Sequence, residues 1–152
     1  MKSFVNISVL ATIVAVISFS SCKKYTSSPA GNASSNDSLA TALAGGSWII
    51  SSLLQKKEDN TAMFAGYIFS FSSNGKLSAS FNGTQSQGSW SHSLPVTYYG
   101  STSKEAMVFS MGTDNPFRRI SKTWNVVSKT ATLVQLESPE ILEDEHLQLQ
   151  KQ

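Results

Sequence analysis

Two histidines and a run of acidic residues are the groups of this chain best suited to acid–base or metal chemistry. His92 and His146 stand far apart, and neither occurs in a metal-binding spacing such as His-x-x-x-His. The acidic run at 140–145 beside His146 favours a solvated loop over a cation site. Gly-rich phosphate loops and Gly-x-Ser-x-Gly are missing from the sequence. We therefore predict no catalytic residue, cofactor or metal; an enzyme using either histidine as its base is the alternative.

Cys22 is the only cysteine of the 152 residues, so its thiol has no partner for an internal disulfide. It follows a positive start at Lys2, an almost uncharged apolar run from Phe4 to Phe19, and two small residues. This order predicts a secretory signal peptide over residues 1–21 that is cleaved on export. The apolar run is short for a bilayer span, which needs about 20 residues. A membrane-anchoring helix is the alternative.

The segment Phe19-Ser20-Ser21-Cys22 resembles the lipobox of bacterial lipoproteins, with Phe19 where Leu is usual. The resemblance implies diacylglyceryl transfer to the Cys22 sulfur, cleavage before Cys22 and acylation of the new amino group. Several acyl chains anchor a protein far more firmly than one chain does. Because Lys23 and Lys24 stand where some surface-exported lipoproteins carry acidic residues, we expect an envelope protein of the outer membrane that faces the periplasm. A chance cysteine after an ordinary signal peptide is the alternative.

A tether and one folded domain are predicted after Cys22. Residues 22–37 are rich in Ser, Asn, Gly and Ala, and such a segment buries too little surface to offset its chain entropy. Residues 38–152 suffice for one domain with one core. Without Lys2 the chain carries 11 basic and 10 acidic residues, a balance that gives no support to nucleic-acid binding.

Strand signals dominate the domain, after a short helix expected at 36–44 and ended by Gly45-Gly46. Asn74-Gly75 and Asn82-Gly83 predict tight mirror-image hairpin turns with positive φ at both residues. Eight runs rich in β-branched and aromatic residues predict strands. The runs are Trp48 to Gln55, Phe64 to Phe71, Lys76 to Phe81, Gln85 to His92, Glu105 to Met111, Lys122 to Ser128, Ala131 to Glu137 and Glu145 to Gln150.

Short connections and period-two alternation predict an all-β fold with antiparallel neighbours. Successive hairpins favour an eight-stranded up-and-down barrel, which removes both sheet edges by closing on itself. A two-sheet β-sandwich is the alternative.

Several short motifs resemble the lipocalin-like domains of bacterial lipoproteins. Gly46-Ser47-Trp48 at the first strand is similar to the lipocalin Gly-x-Trp signature, and the stretches 64–71, 74–75, 88–90 and 124–126 follow in a similar order. The resemblance spans residues 46 to about 150. It implies a β-barrel and a small hydrophobic ligand as a candidate partner.

If Trp48 points inward, as the resemblance implies, Ile50, Ser52 and Leu54 line the interior with it. The interior faces of the other strands complete a tentative ligand site, and a fully packed core is the competing interpretation. The tentative ligand-binding residues are Trp48, Tyr67, Phe69, Trp90, Met107, Phe109, Met111 and Trp124. We expect a membrane-anchored binding protein; the alternative is a solid barrel that binds an envelope protein or glycan, in which the stretch 94–99 is exposed.

Overall fold

The structure is a computed structural model that describes residues 38–152, so the predicted signal peptide, the tether and Cys22 lie outside the described residues. The described part begins with helix α1, Ser38–Ala44, and Gly45-Gly46 follow it as predicted. Eleven strands come next in chain order. They are β1 (Ser47–Gln55), β2 (Glu58–Asp59), β3 (Ile68–Phe71), β4 (Lys76–Phe81), β5 (Thr84–Ser93), β6 (Thr97–Tyr98), β7 (Ser101–Thr102), β8 (Ala106–Ser110), β9 (Thr123–Lys129), β10 (Leu133–Glu137) and β11 (Glu145–Lys151).

Eight of these strands form a closed antiparallel barrel. Their order is β1-β3-β4-β5-β8-β9-β10-β11, and β11 pairs with β1 from Lys151 opposite Trp48 to Glu145 opposite Gln55. Strands that follow one another around the barrel also follow one another along the chain. The predicted up-and-down barrel is therefore confirmed, and the sandwich is excluded. β2 pairs with the end of β1, while β6 and β7 form a separate hairpin.

The two Asn-Gly sequences make different turns. Asn82 and Gly83 both have positive φ angles, 47° and 79°, and join β4 directly to β5 as a mirror-image turn requires. At Asn74-Gly75 the left-handed residue is Gly75 alone, with φ 82°. The loop there is longer, because the Ser72 amide donates to the carbonyl oxygen of Lys76. The predicted two-residue turn is right at Asn82-Gly83 and wrong at Asn74-Gly75.

The predicted inward position of Leu54 is wrong. The pairing of β1 with β11 shifts register between Ile50 and Ser52, which marks a β-bulge. Since one extra residue moves every later side chain to the other face, Leu53 is buried and Leu54 is 38% exposed. Ser52, beside the bulge, is half-buried.

The predicted run from Phe64 to Phe71 is a strand only from Ile68 onward. Thr61–Phe64 forms a 3-10 turn instead. Gly66 has a positive φ of 82°, and the Tyr67 amide donates to the Phe64 carbonyl, so the backbone is not extended before Ile68. Side-chain alternation alone did not reveal this break, because glycine was counted as an ordinary strand position.

Helix α1 closes one end of the barrel, where β1, β4, β8 and β10 begin; we name it the helix end. Leu39 and Leu43 of α1 are buried in the barrel core. The indole nitrogen of fully buried Trp48 donates a 3.1 Å hydrogen bond to the Leu43 carbonyl. This bond ties the helix to the first barrel strand.

The opposite end, the loop end, is closed by segments between strands. The 3-10 turns Thr61–Phe64 and Phe117–Arg119 place Phe64 and Phe117 in the core. Fully buried Trp124 donates a 3.0 Å hydrogen bond from its indole nitrogen to the carbonyl of buried Ile120. Each end is thus closed by apolar side chains and joined to a tryptophan on a barrel strand.

Candidate functional site

The residues predicted to line a ligand cavity do face the barrel interior. Seven of the eight are buried members of one apolar core, as period-two alternation requires for the inner face of each strand. The eighth, Tyr67, is half-buried and stacks on Phe81 with ring centroids 4.8 Å apart. The seven are Trp48, Phe69, Trp90, Met107, Phe109, Met111 and Trp124.

These inward side chains pack against one another. The Phe71 ring meets Trp90 edge to face at 5.5 Å between centroids and lies 5.8 Å from Phe109. The indole nitrogen of Trp90 donates to the Ser72 carbonyl at 3.0 Å, so it offers no free donor to a ligand. Four depressions lined by residues 38–152 have volumes of about 150 to 280 Å³, and each of them opens to solvent. This arrangement favours a solid core.

One of these depressions, the seam groove, lies where β1 and β3 separate. The two strands pair only at Ser47 with Ser70 and Trp48 with Phe69. The groove that opens beyond this point has a volume of about 280 Å³. Tyr67 is the only predicted ligand residue that lines it. Its other apolar walls come from Ile49, Ile50, Phe64 and Ile68.

The two histidines lie at different places and both have carboxylate partners. His92 on β5 is almost fully buried, and its Nε2 lies 2.7 Å from Glu105, which also pairs with Lys129. His146 on β11 is exposed, and its Nε2 lies 3.3 Å from Asp144. Among residues 38–152 no three His, Cys, Asp or Glu side chains are placed to share a metal ion. The structure therefore does not bring the histidines together.

The loop between β10 and β11 carries two apolar side chains that are almost fully exposed to solvent. Ile141 and Leu142 form a 3-10 turn with Glu143, and they are 92% and 95% exposed. Acidic Glu140 and Asp144 flank them on either side. We name the pair Ile141–Leu142 the apolar knob, because no other neighbouring pair of aliphatic side chains in the described part of the chain is as exposed.

Polar contacts hold the loop that carries the apolar knob. The hydroxyl of buried Ser138 donates to the Glu143 carboxylate and accepts from the Glu140 amide at 3.2 Å. Lys122, which directly precedes β9, pairs with Glu143 at 3.0 Å and also with Glu145. The Ser138 hydrogen bond, followed by Lys122, lowers the pKa of the Glu143 carboxyl below its ordinary value. The loop that carries the knob is thus held by hydrogen bonds to Ser138 and by the ion pairs of Lys122.

Sequence reasoning treated residues 140–145 as a solvated loop and did not single out Ile141 or Leu142. A signal was present, since two adjacent large aliphatic residues interrupt an acidic run just after Ser138-Pro139. Alternation cannot assign such a pair to a buried strand face, which leaves exposure as the simpler expectation. The exposed stretch 94–99, by contrast, was predicted, and its apolar members Leu94, Val96, Tyr98 and Tyr99 are all exposed.

Helices that could cross a bilayer are not found within residues 38–152. The closed eight-stranded barrel is compatible with a lipocalin-like fold. A scan against models of known protein families finds no match for the chain, and searches of curated proteins and of solved structures find none either.

Proposed function

We propose that this protein is a lipid-anchored lipoprotein of the bacterial envelope whose solid barrel binds a protein partner through the apolar knob. Acyl chains on Cys22 would hold it in the outer membrane, facing the periplasm. The barrel serves as a rigid carrier, and binding takes place on its outside. The observation that carries the proposal is the exposure of Ile141 and Leu142, 92% and 95%, on a loop that Ser138 and Lys122 hold through Glu143.

The filled interior supports a surface role. A pocket for a drug-sized molecule usually has a volume of about 300 to 1,000 Å³ and buries most of its ligand. The core tryptophans instead use their indole nitrogens on backbone carbonyls. Barrels of the lipocalin type are usually not enzymes, and His92 and His146 lack a shared site that would argue otherwise.

The apolar knob has the properties of a binding hot spot. A few well-packed side chains usually carry most of the energy of a protein interface. A loop already fixed by Ser138 and Lys122 loses little conformational entropy when it binds, which strengthens association. The partner surface that fits is an apolar pocket, and basic groups at its rim would pair with Glu140 and Asp144.

Photo-crosslinking in intact envelopes tests the knob. A photoreactive amino acid replaces exposed Pro139 in the full chain, next to the proposed contact, and we expect one adduct of defined mass. The double change Ile141→Asp with Leu142→Asp should abolish that adduct. Val127→Asp is the matched control, because Val127 is an exposed aliphatic residue on β9 and its change should leave the adduct intact. An adduct that survives the double change, or none in the parent, would contradict the proposal.

The anchor is tested separately at Cys22. Metabolic labelling with an alkyne fatty acid should label the parent chain, and mass spectrometry should place the acyl groups on an amino-terminal Cys22. Cys22→Ser should remove the label and leave an uncleaved or soluble chain. An unlabelled parent would refute the lipoprotein assignment without affecting the crosslinking result.

A small apolar ligand is a second candidate, and the seam groove is the observation that favours it. The groove carries apolar walls and the half-buried ring of Tyr67. Lipids recovered from the purified protein would be identified by mass spectrometry. Ile68→Asp should release them, whereas Val108→Asp should not, because these residues are equally exposed, at 38% and 39%, on outward faces. If nothing co-purifies with the parent, this candidate is dropped.

A further inference from the structure

A hairpin outside the barrel sheet projects two tyrosine rings into solvent. β6 and β7 pair through Thr97 with Thr102 and Tyr98 with Ser101. Tyr98 and Tyr99 are 71% and 92% exposed. Their ring centroids lie 4.3 Å apart with an angle of 73° between the planes. The rings therefore meet edge to face, and their outer surfaces remain open.

The backbone at the tip is unfavourable for a bulky residue. Tyr99 and Gly100 have φ angles of 47° and 81°, and only glycine adopts this left-handed conformation without cost. Two-stranded hairpins are marginally stable on their own. This one is supported by a 2.8 Å bond between the Thr97 and Thr102 hydroxyls. At its base, the Ser103 amide donates to the Val96 carbonyl and the Val96 amide donates to the Ser103 hydroxyl, both at 2.9 Å. The strained backbone at Tyr99 holds its ring in solvent and does not pack it against the barrel, which points to a function outside the barrel.

The composition of the hairpin suits a membrane–water interface. Residues 93–103 carry no charged side chain. Exposed Val96 and Leu94 add apolar surface beside the tyrosines, and the remaining positions are serine and threonine except for Pro95 and Gly100. Tyrosine is enriched at lipid headgroups because its ring is apolar and its hydroxyl stays hydrated. No charge has to be desolvated when such a hairpin enters the headgroup region.

The hairpin emerges at the helix end, where the described chain begins. It joins the end of β5 to the start of β8. Glu105, just after it, pairs with Lys129 at the end of β9. Lys129 in turn lines a surface depression together with Leu39 and Ala42 of α1. Residue 38, through which the chain leads back to Cys22, is therefore at the same end of the barrel as the hairpin.

The charges of the helix end match an anionic surface. Lys76, Lys129 and Lys151 lie at strand termini of this end. Glu105 lies at the same end and pairs with Lys129, whereas Lys104, beside the hairpin, pairs with Glu137 at 2.7 Å. Basic residues close to a bilayer are attracted to anionic headgroups, so Lys76 and Lys151 add to the affinity for such a surface.

We propose that the hairpin from Leu94 to Ser103 docks into the headgroup region of the membrane that carries the Cys22 anchor. The inference rests on the lipid anchor proposed above. If residues 22–37 form the flexible tether that the sequence predicts, a coil of this length has an end-to-end distance of about 20–24 Å and keeps the helix end close to the bilayer. Docking orients the barrel, with the Asn82-Gly83 turn directed away from the lipid, because β5 runs from this turn to the hairpin.

Depth-dependent quenching tests the docked orientation. The acylated protein is reconstituted in vesicles of phosphatidylcholine and phosphatidylglycerol with brominated acyl chains. Tyr99→Trp should be quenched, whereas Gln85→Trp, exposed near the end of β5 that is opposite the hairpin, should not. The three native tryptophans are buried in the barrel and contribute a constant background. Equal quenching of both probes, or of neither, would overturn the proposal.

A second measurement separates the hairpin from the anchor. The chain from residue 22 onward with Cys22→Ser lacks both the acyl group and the apolar run 4–19, so its binding to the same vesicles reports the hairpin alone. The added pair Tyr98→Ala and Tyr99→Ala should lower the partition coefficient at least about tenfold, because two large rings no longer leave water. Unchanged binding would refute hairpin docking even if Cys22 is acylated. Failure of acylation with retained vesicle binding would refute only the anchor. A Tyr99→Trp emission change with envelope polysaccharide, and none with vesicles, would make the ligand a glycan and also overturn the proposal.

Discussion

The two ends of the barrel are closed by the same device from different parts of the chain. At the helix end, the indole of Trp48 binds the carbonyl of Leu43 in α1. At the loop end, the indole of Trp124 binds the carbonyl of Ile120, which precedes β9 by a few residues. In both cases a fully buried tryptophan at the start of a strand fixes the segment just before it. Closure of a small barrel thus needs only a short apolar segment and one strong anchor point.

The ends differ in how the closing segment is connected to the rest. Helix α1 has seven residues and joins the barrel through Gly45-Gly46. The loop end is cross-linked by polar side chains, since Arg119 donates to Gln55 at 2.9 Å and Lys122 pairs with Glu145. We expect α1 to open independently, whereas the loop end should open only when the barrel unfolds. An end that opens alone suits contact with a surface, and a fixed end suits presentation of the apolar knob.

Removing either tryptophan should have the largest effect. Trp48→Ala and Trp124→Ala are each expected to lower the free energy of unfolding by about 3–5 kcal/mol, because both side chains are fully buried. Urea titration followed by circular dichroism measures the loss. Tyr98→Ala is the control and should change stability by less than about 0.5 kcal/mol, since its ring is mostly in solvent. If one tryptophan change lowers the free energy of unfolding as little as Tyr98→Ala does, the two tryptophans do not close their ends of the barrel equally.

Milder changes should separate the ends. Trp48→Phe leaves the Leu43 carbonyl without its indole donor, at an expected cost of about 1–3 kcal/mol. Trp124→Phe should cost less, because the Ile120 carbonyl still accepts from the Lys122 amide at 2.9 Å. In Trp48→Phe we expect faster amide exchange confined to α1. In Trp124→Phe the faster exchange should extend to the barrel strands. Exchange confined to one segment in both variants would show that the loop end also opens by itself.

The ion pairs of the loop end should matter by a smaller amount. Lys122→Met leaves Glu145 poorly exposed and without its lysine, and we expect a loss of about 1–2 kcal/mol at neutral pH. Lys129→Met at the helix end is the matched change, because Glu105 keeps His92 as a partner and the loss should be smaller. Denaturant unfolding of both variants at low and high salt measures the difference. A larger loss for Lys129→Met would reverse the ranking of the two ends.

The smallest effect concerns the protonation of Glu143. Its folded pKa lies below the ordinary value, first because Ser138 donates to the carboxylate and then because of Lys122. A lowered folded pKa means that the contribution of Glu143 is present above its ordinary pKa and is lost as the pH falls through the folded pKa. Ser138→Ala should raise the Glu143 pKa in a carbon-13 carboxyl titration by NMR.

Asp59 is the internal control for that titration. Its pKa is also lowered, by hydrogen bonds from Thr61, which Ser138 does not touch. Its value should therefore stay the same in Ser138→Ala. A shift of Asp59 together with Glu143 would indicate a rearrangement of the whole loop end and not the loss of one hydrogen bond.

Much of the barrel could be predicted because alternation is a local property. β4 was predicted from Lys76 to Phe81, and its bounds in the structure are the same. Leu77 and Ala79 face inward as expected, but Phe81, assigned to the same face, is 37% exposed because it stands at the rim against Tyr67. The side chain of a residue at the rim of the barrel can turn either inward or outward, so the period-two pattern does not determine whether it is buried.

The candidate sites were less predictable for a related reason. Gly88 illustrates it, since a Cβ atom there would lie 2.1 Å from the carbonyl oxygen of Ser110 on the neighbouring strand. The sequence showed a glycine before Trp90 but not the strand that approaches it. The sequence likewise predicted the exposure of the stretch 94–99 but not its pairing as the short hairpin β6–β7. It contained the adjacent pair Ile141 and Leu142, but their exposure depends on which other segments pack against the loop.

The sequence by itself determined the number of barrel strands, their order and the apolar face of most of them. These follow from the period of two residues and from glycine-rich turns, which depend on near neighbours in the chain. Only the tertiary structure decided that the bulge after Ile50 turns Leu54 outward. It also decided that the inward rings pack against one another and that Ile141 and Leu142 are exposed to solvent. Register and packing depend on contacts between residues distant in sequence, and a one-residue shift reverses every side chain beyond it.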